Sequence, residues 1–573
     1  MSEWLDPELG TDYPEEEKVK SSSIKNPEIQ KLTSYEEIPE DSFWDIFPFF
    51  DMPKHAETSV NIVALEDKID SVRSQMTETE IRRAAKVVKD LKEGASAYQK
   101  SDLPPLKTAN ARSTYENGEM LTDTIATWVK CGFVAGPFDS PPMPGFRANP
   151  LAAVVRNGKT RPILNMSGPK GRSFNDNVDR SKVDKLFMGT PKQFSHALRD
   201  AGEGAVFSKF DIKDAYKLVP AKTEDYKLQG FCWLGKYFVE TRLAFGGVPS
   251  PINFDRLGKT KDLVVCLRSG TPRKNVFRAL DDSPCVAPKN SGITEAFSKE
   301  MRELCRDVNI PLADNCPLRE KAFEMTTKGT VLGVGFDSLT MKWFYSEEKA
   351  DRVKRRCLDA RRSQHLDLKQ VQKLMGSIND LAQMCPLIKF HKRSGNVLLT
   401  RFGGNENILL RVHQELKEDL LFIAKVAESS KAGLPVADPD GMPTLAALTF
   451  YTDAAGASFS MRNGDRVFHN NKGKGVACVA GTELNDVWGW TRISWPDQLL
   501  TDQKDEKGRS FGCKSTTLES VGILLPLLAF PEKVKGRNLI FKIDNIAVMF
   551  GWQHGYVKND ATASEILKSA QYL

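Results

Sequence analysis

The sequence predicts an α+β chain built from several domains. Three observations carry that reading. Short apolar runs that close on acids recur through the middle of the chain, as in 205–220, AVFSKFDIKDAYKLVP. Stretches at 61–98 and 346–381 place apolar residues at three- and four-residue steps, the period of a helix. A Pro/Gly/Asp-rich break at 434–443 separates everything before it from a further strand–helix–strand set. With 573 residues there is material for more than one core.

Residues 1–60 are rich in Glu, Asp, Ser, Lys and Pro and read as a largely disordered acidic leader. Inside it, 43–50 is FWDIFPFF, an aromatic knot too dense to stay in water. It is expected to dock on the body of the same protein; a partner-binding motif is the alternative. A helical extension is expected over 61–130. Ile62, Leu65, Ile69 and Val72 form one stripe, and Ile81, Ala84, Ala85, Val88 and Leu91 a second, opened by a Thr77/Glu80 capping box. A third helix at 122–131 is broken by the Pro/Gly-rich stretch 136–150. Next, 152–156 reads as a strand, Asn157-Gly158 as a hairpin turn and 160–165 as the return strand. Its cations, Arg156, Lys159 and Arg161, suit phosphates or simply water.

In 205–220, Ala205-Val206-Phe207 and Phe210-Asp211-Ile212 are too short for a helix and read as a buried strand. A carboxylate at Asp211 cannot stay ionised in apolar surroundings without a partner. A second acidic point lies at 276–286, VFRALDDSPCV, where a hairpin would turn. Side chains alternate along a strand, so Asp281 and Asp282 should diverge and one of them join Asp211. Two such carboxylates suggest a divalent-metal site for phosphoryl transfer, while turn-capping aspartates fit the same dipeptide. Between these points, 228–239 reads as a hairpin with a Gly-Lys turn. In 243–254, LAFGGVPSPINF, the glycines let backbone approach a ligand and Pro251 suits the first turn of a helix.

Ser346 opens a basic helix carrying Arg352, Lys354, Arg355, Arg356, Arg361 and Arg362, and Leu368, Val371, Leu374, Met375, Ile378 and Leu381 mark the next helix. After the linker, Asp453 lies near the end of a strand, Glu519 in a helix and Asp544 at the end of a later strand.

Composition narrows the rest. The chain is 40% hydrophobic and 27% charged, with a formal net charge of +6, which permits a nucleic-acid partner without demanding one. Ten cysteines and seven histidines form neither a CxxC nor an HExxH pattern, so a zinc site is not expected and the thiols read as reduced. The polar, acidic start is no signal peptide, and no apolar run reaches membrane-spanning length. A soluble intracellular protein, of cytoplasm and/or nucleus, with no membrane partner is the expectation.

The order of these motifs resembles a retroelement reverse transcriptase with a fused RNase H. The hairpin ending in the strand with Arg161 resembles the fingers. FDIKDAY and FGGVPSPINF resemble palm motifs, and ALDD is similar to the family's aromatic-x-Asp-Asp turn. The basic helices resemble a thumb, and YTDAAG with Asp544-Asn545 is similar to the RNase H domains of retroelement polyproteins. The resemblance implies a right-hand polymerase followed by an α/β RNase H-like domain. Fingers and palm would occupy 131–345, thumb and connection 346–433, and the RNase H-like domain 434–573. It implies Asp211, Asp281 and Asp282 as one catalytic and metal-binding set and Asp453, Glu519 and Asp544 as another, each with two Mg2+ or Mn2+ ions. It further implies Arg156 and Arg161 on the incoming triphosphate, Tyr216 as the gate against a ribose 2′-hydroxyl, Gly246 close to the nucleotide and Lys321 near pyrophosphate. The partners implied are RNA template, DNA primer, RNA–DNA hybrid and dNTPs.

Two positions depart from the family pattern: Ala279 stands where Tyr or Phe is usual, and Asn165 replaces the acid after the fingers Arg. A fourth RNase H acid is expected beyond Leu573, as for a truncated domain. Phe245-Gly246 and the TDAAG style resemble DIRS-like elements. A decayed or host-domesticated relative that binds nucleic acid without polymerising is the second reading.

Overall fold

Apolar periodicity and strand alternation produce a mixed α+β protein of more than one domain. The computed structural model of this chain describes residues 41–156, 159–313, 322–385, 387–436, 448–455, 459–462, 465–468, 475–481, 487–494, 503–504, 510–511, 515–535, 539–557 and 560–570. The leader up to residue 40, the Asn157-Gly158 turn, Lys321 and most of the 434–443 linker lie outside the described residues. The polypeptide divides into two units. One takes Met1–Phe187, Asp211–Arg268 and Lys299–Lys321; the other takes Met188–Phe210, Ser269–Ser298 and Ala322–Leu573. Among the described residues, no helix is long and apolar enough to cross a membrane.

In the first unit the aromatic knot does dock on the same chain. Phe50 exchanges backbone hydrogen bonds with Gly136 at 3.1 and 2.8 Å, adding a bridge beside the strand Val134–Phe138. The rings of Trp44 and Phe47 lie 5.2 Å apart and meet Phe238 at 6.4 and 6.1 Å. The helices Ile62–Asp70 and Glu78–Glu93 follow, and Thr77 and Glu80 make both halves of the capping box. The helix Gly118–Lys130 starts a turn before the expected point.

The stretch 136–150 is more than a breaker. It carries most of Val134–Phe138 and all of Arg147–Ala148, which join a five-stranded sheet with Leu106–Lys107, Gly230–Trp233 and Lys236–Glu240. Pro137 and its neighbours are tolerated because Val134–Phe138 is the edge strand of that sheet. The hairpin within the sheet turns at Leu234-Gly235, not at Gly-Lys. Both residues have positive φ, 47° and 82°, as a two-residue primed turn needs, and Lys236 opens the return strand. The basic hairpin pairs Leu151–Arg156 with Lys159–Leu164 in the register the Asn-Gly signal predicts, Arg156 opposite Lys159.

A three-stranded sheet, in the second unit except for Asp211, places Val206–Asp211 between Phe323–Thr326 and Asp282–Ala287. Phe194, Phe207, Phe336 and Trp343 fill one core with the apolar faces of Glu347–Arg362, Leu368–Leu381 and Gln414–Ala432. Leu434–Pro435, expected as linker, pairs with Lys342–Phe344 as the edge of a four-stranded sheet. Farther on, a four-stranded sheet runs in the order Val487–Ser494, Gly475–Gly481, Leu448–Ala455, Leu539–Lys542, the last strand parallel to its neighbour. Phe450, Val476 and Cys478 on this sheet pack with Leu518, Ile523 and Leu525 of the helix Ser515–Ala529.

Phe47 is 7% exposed, so Phe47→Ala removes a buried ring and should destabilise the first unit by about 3 kcal/mol in denaturant unfolding. An unchanged midpoint would show that the knot adds nothing to the fold.

Candidate functional site

Strand geometry positions the first set of acids. Asp211 ends Val206–Asp211 and is 1% exposed; its carbonyl accepts the Ala313 amide at 2.8 Å. Asp281 and Asp282 are half-buried at a hairpin tip. Ala279 and Asp282 exchange backbone hydrogen bonds of 3.0 and 3.1 Å, which leaves Leu280 and Asp281 as the two turn residues. Leu280 holds φ at 56°, a left-handed conformation that favours glycine, so the turn is strained at the acidic dipeptide. Asp282 begins Asp282–Ala287, the sheet neighbour of Val206–Asp211. Asp211 falls in the first unit, and Asp281 and Asp282 in the second.

Arg156, Arg161, Tyr216 and Gly246 also lie in the first unit. Tyr216 sits in the 3-10 turn Ala215–Leu218, its ring 4.8 Å from Phe245 and 5.7 Å from Phe254. Gly246 has φ of 116°, and a Cβ there would come within 1.9 Å of the Leu164 carbonyl oxygen. Only glycine permits that approach of Phe245-Gly246 to the return strand of the basic hairpin. Arg161 is exposed on that strand opposite Val154, and Arg156 ends the outgoing strand. Lys217 and Glu240, which sequence reasoning passed over, are fully buried together in this unit. Their signal was a charge inside an otherwise apolar run, which demands a partner.

The second set is gathered most clearly. Asp453 on Leu448–Ala455, Glu519 on Ser515–Ala529 and Asp544, just past Leu539–Lys542, bring carboxylate oxygens within 4.8 Å of one another. Among the described residues this is the group of three or more metal-type side chains. Asp453 and Asp544 are exposed, while Glu519 is 8% exposed. The helix can approach this closely because Gly522, one turn after Glu519, lies against Thr452; a Cβ there would meet its hydroxyl at 2.9 Å. Thr517 donates to Asp560 at 2.8 Å, tying the start of the Glu519 helix to Ala561–Ala570.

Burial, then the charges of Asp544 and Asp453, push the Glu519 carboxyl up to about 7, against a hydrogen bond from the Ala454 amide. Glu519 Oε2 is buried with no hydrogen-bond partner among the described residues. Three crowded carboxylates with an orphaned buried oxygen form a hard, all-oxygen donor set. That set fits Mg2+ or Mn2+ and not a thiolate- or imidazole-seeking metal.

No family model matches the chain, and no curated protein matches it. Solved structures similar to it include the following three. The foamy viral protease-reverse transcriptase dRH in complex with ds DNA is 13% identical, with 91% of this chain and 82% of that one covered and a TM-score of 0.47. The foamy viral protease-reverse transcriptase in complex with RNA/DNA hybrid is 14% identical, covering 88% of this chain and 61% of that one, at a TM-score of 0.46. The same protein in complex with dsDNA is 13% identical, covering 91% and 96%, at 0.43.

The raised Glu519 pKa makes stability depend on pH. In the metal-free fold this carboxyl keeps its proton up to about 7, whereas its ordinary value is 4.5. The folded state binds the extra proton in that interval, so stability falls as pH rises through it. The thermal midpoint of the metal-free chain should drop across that window, and millimolar Mg2+ should reverse the drop. Glu519→Gln should flatten both responses; a Mg2+ response that survives it would place the cation elsewhere.

Proposed function

We propose that this chain is an RNA-directed DNA polymerase of retrotransposon type, with a second centre that cleaves the RNA strand of an RNA–DNA hybrid. The observation that carries the reading is the meeting of Asp453, Glu519 and Asp544 from strand, helix and later strand, downstream of FDIKDAY, FGGVPSPINF and ALDD in that order. In this reading 131–345 form fingers and palm, 346–433 thumb and connection, and 434–573 the RNase H-like domain. A DIRS-like origin and an intracellular site, in cytoplasm or nucleus, belong to the same proposal.

Asp211 and Asp281, with Asp282 in support, would hold divalent cations at the polymerase centre, and Asp453, Glu519 and Asp544 at the nuclease centre. Bound Mg2+ or Mn2+ supplies charge neutralisation and a more acidic hydroxyl or water. The chain's own residues do the binding and selecting. Arg161 and Arg156 offer guanidinium forks to the triphosphate of a dNTP. Gly246 leaves room for the nucleotide, and Lys321 stands as a proton donor to pyrophosphate. Tyr216, walled by Phe245 and Phe254, excludes a ribose 2′-hydroxyl. Exposed Arg361 and Arg362 would meet the backbone of the template–primer duplex. At the nuclease centre the buried Glu519 oxygen and the two exposed aspartates face the scissile RNA strand, recognised by its 2′-hydroxyls.

Primer extension on an RNA template with dNTPs and Mg2+ tests the polymerase. Asp211→Asn should lower it by more than about a hundredfold, beyond the roughly 10–100-fold cost of losing a supporting partner. Glu519→Gln should abolish hybrid cleavage and leave extension intact. Hybrid binding with no extension by either chain would favour the decayed relative, the reading to which Ala279 points.

A further inference from the structure

Lys217 and Glu240 form an ion pair that belongs to neither acid set. Their side chains are 2% and 0% exposed, and the Lys217 ammonium donates to Glu240 Oε2. The ammonium lies 4.0 Å from the Trp128 ring and 5.7 Å from the Phe245 ring. The Phe245 ring also packs against Tyr216, at 4.8 Å. Glu240, Lys217, Phe245 and Tyr216 therefore make a continuous chain of contacts inside the first unit.

Such a pair is expensive. Burial drives Lys217 below and Glu240 above their ordinary pKa values, and two neutral side chains of the same volume would fill the space at less cost. What the pair supplies is direction. Lys217 follows Tyr216 in the turn Ala215–Leu218, which is entered through Asp214 at φ 50° and closed by the Lys217 amide on the Asp214 carbonyl at 2.7 Å. A Lys217 side chain fixed inward limits the rotation of this short turn, in which Tyr216 is its immediate neighbour. The same ammonium pins the Phe245 wall by its attraction to the ring face.

We infer that the Lys217–Glu240 pair is a positioning device that sets the Tyr216 ring for discrimination between deoxyribonucleotides and ribonucleotides. The inference rests on the polymerase reading above. Single-nucleotide incorporation by the full chain, with dNTP against rNTP, tests it in Lys217→Met and in the double variant Lys217→Met/Glu240→Gln. The double variant leaves no charge stranded in the core, so it keeps the test open where the single one fails to fold.

The ratio of kcat/KM for dNTP over rNTP should fall by about tenfold, through a lower KM for rNTP at an unchanged kcat for dNTP. A purely structural role lowers both substrates together and leaves the ratio unmoved, which would overturn the inference while the polymerase reading stands. A wild-type chain that does not extend, or extends without discriminating, overturns the reading and the inference with it.

Discussion

Glu519 is held between Asp453 and Asp544 with one oxygen cut off from water and from every donor among the described residues. Three carboxylates in one place repel, and burial adds to the cost of ionising the middle one, which is why its proton stays to about 7. The surrounding elements nonetheless enforce it. Gly522 brings the helix down on Thr452, the parallel pairing of Leu448–Ala455 with Leu539–Lys542 aligns the two strands, and Thr517 anchors the helix start to Asp560. Crowding acids in this way costs stability, and a cation, as proposed above, would offset that cost.

The first unit meets the same difficulty differently. Glu240 is buried more deeply than Glu519, yet it receives its cation from the chain itself in Lys217. A neutralised pair of this kind is inert toward metal, and its use is geometric. The two carboxylates differ in their neighbours: Glu240 has an ammonium beside it, while Glu519 has two further carboxylates. The basic helix Glu347–Arg362 shows a milder form of the distinction. Arg352 pairs with Glu348, Lys354 with Glu428, and Arg356 donates to Ser377, so much of its charge is engaged within the protein. Arg361 and Arg362, in its last turn, remain exposed.

Strain and close approach mark the same regions. Leu280 takes a left-handed conformation beside Asp281, and Gly246 occupies a position where any side chain would strike Leu164. Both costs fall within motifs that the sequence alone singles out, ALDD and FGGVPSPINF. Local conflicts with backbone preference are tolerated where surrounding pairing over-determines the chain, here the reciprocal hydrogen bonds of Ala279 and Asp282.

What the sequence by itself determined are the elements whose stabilising contacts are short-range. Leu368–Leu381 spans the stripe its leucines mark, Thr77 and Glu80 cap their helix, and Arg156 opposes Lys159 across the expected turn. Each depends on residues a few positions apart, so the pattern and the interaction coincide. The strands inside 136–150, the pairing of Leu434–Pro435 with Lys342 and Trp343, and the turn at Leu234-Gly235 were decided by the tertiary structure. A strand at a sheet edge needs a neighbour more than a propensity, and that neighbour is remote in sequence. The sites divide in the same way. The acids Asp453, Glu519 and Asp544 were legible as residue types on the right elements. Their convergence, the desolvation of Glu519, and the Lys217–Glu240 pair with its hold on Phe245 required the folded chain, because burial is a property of what surrounds a residue.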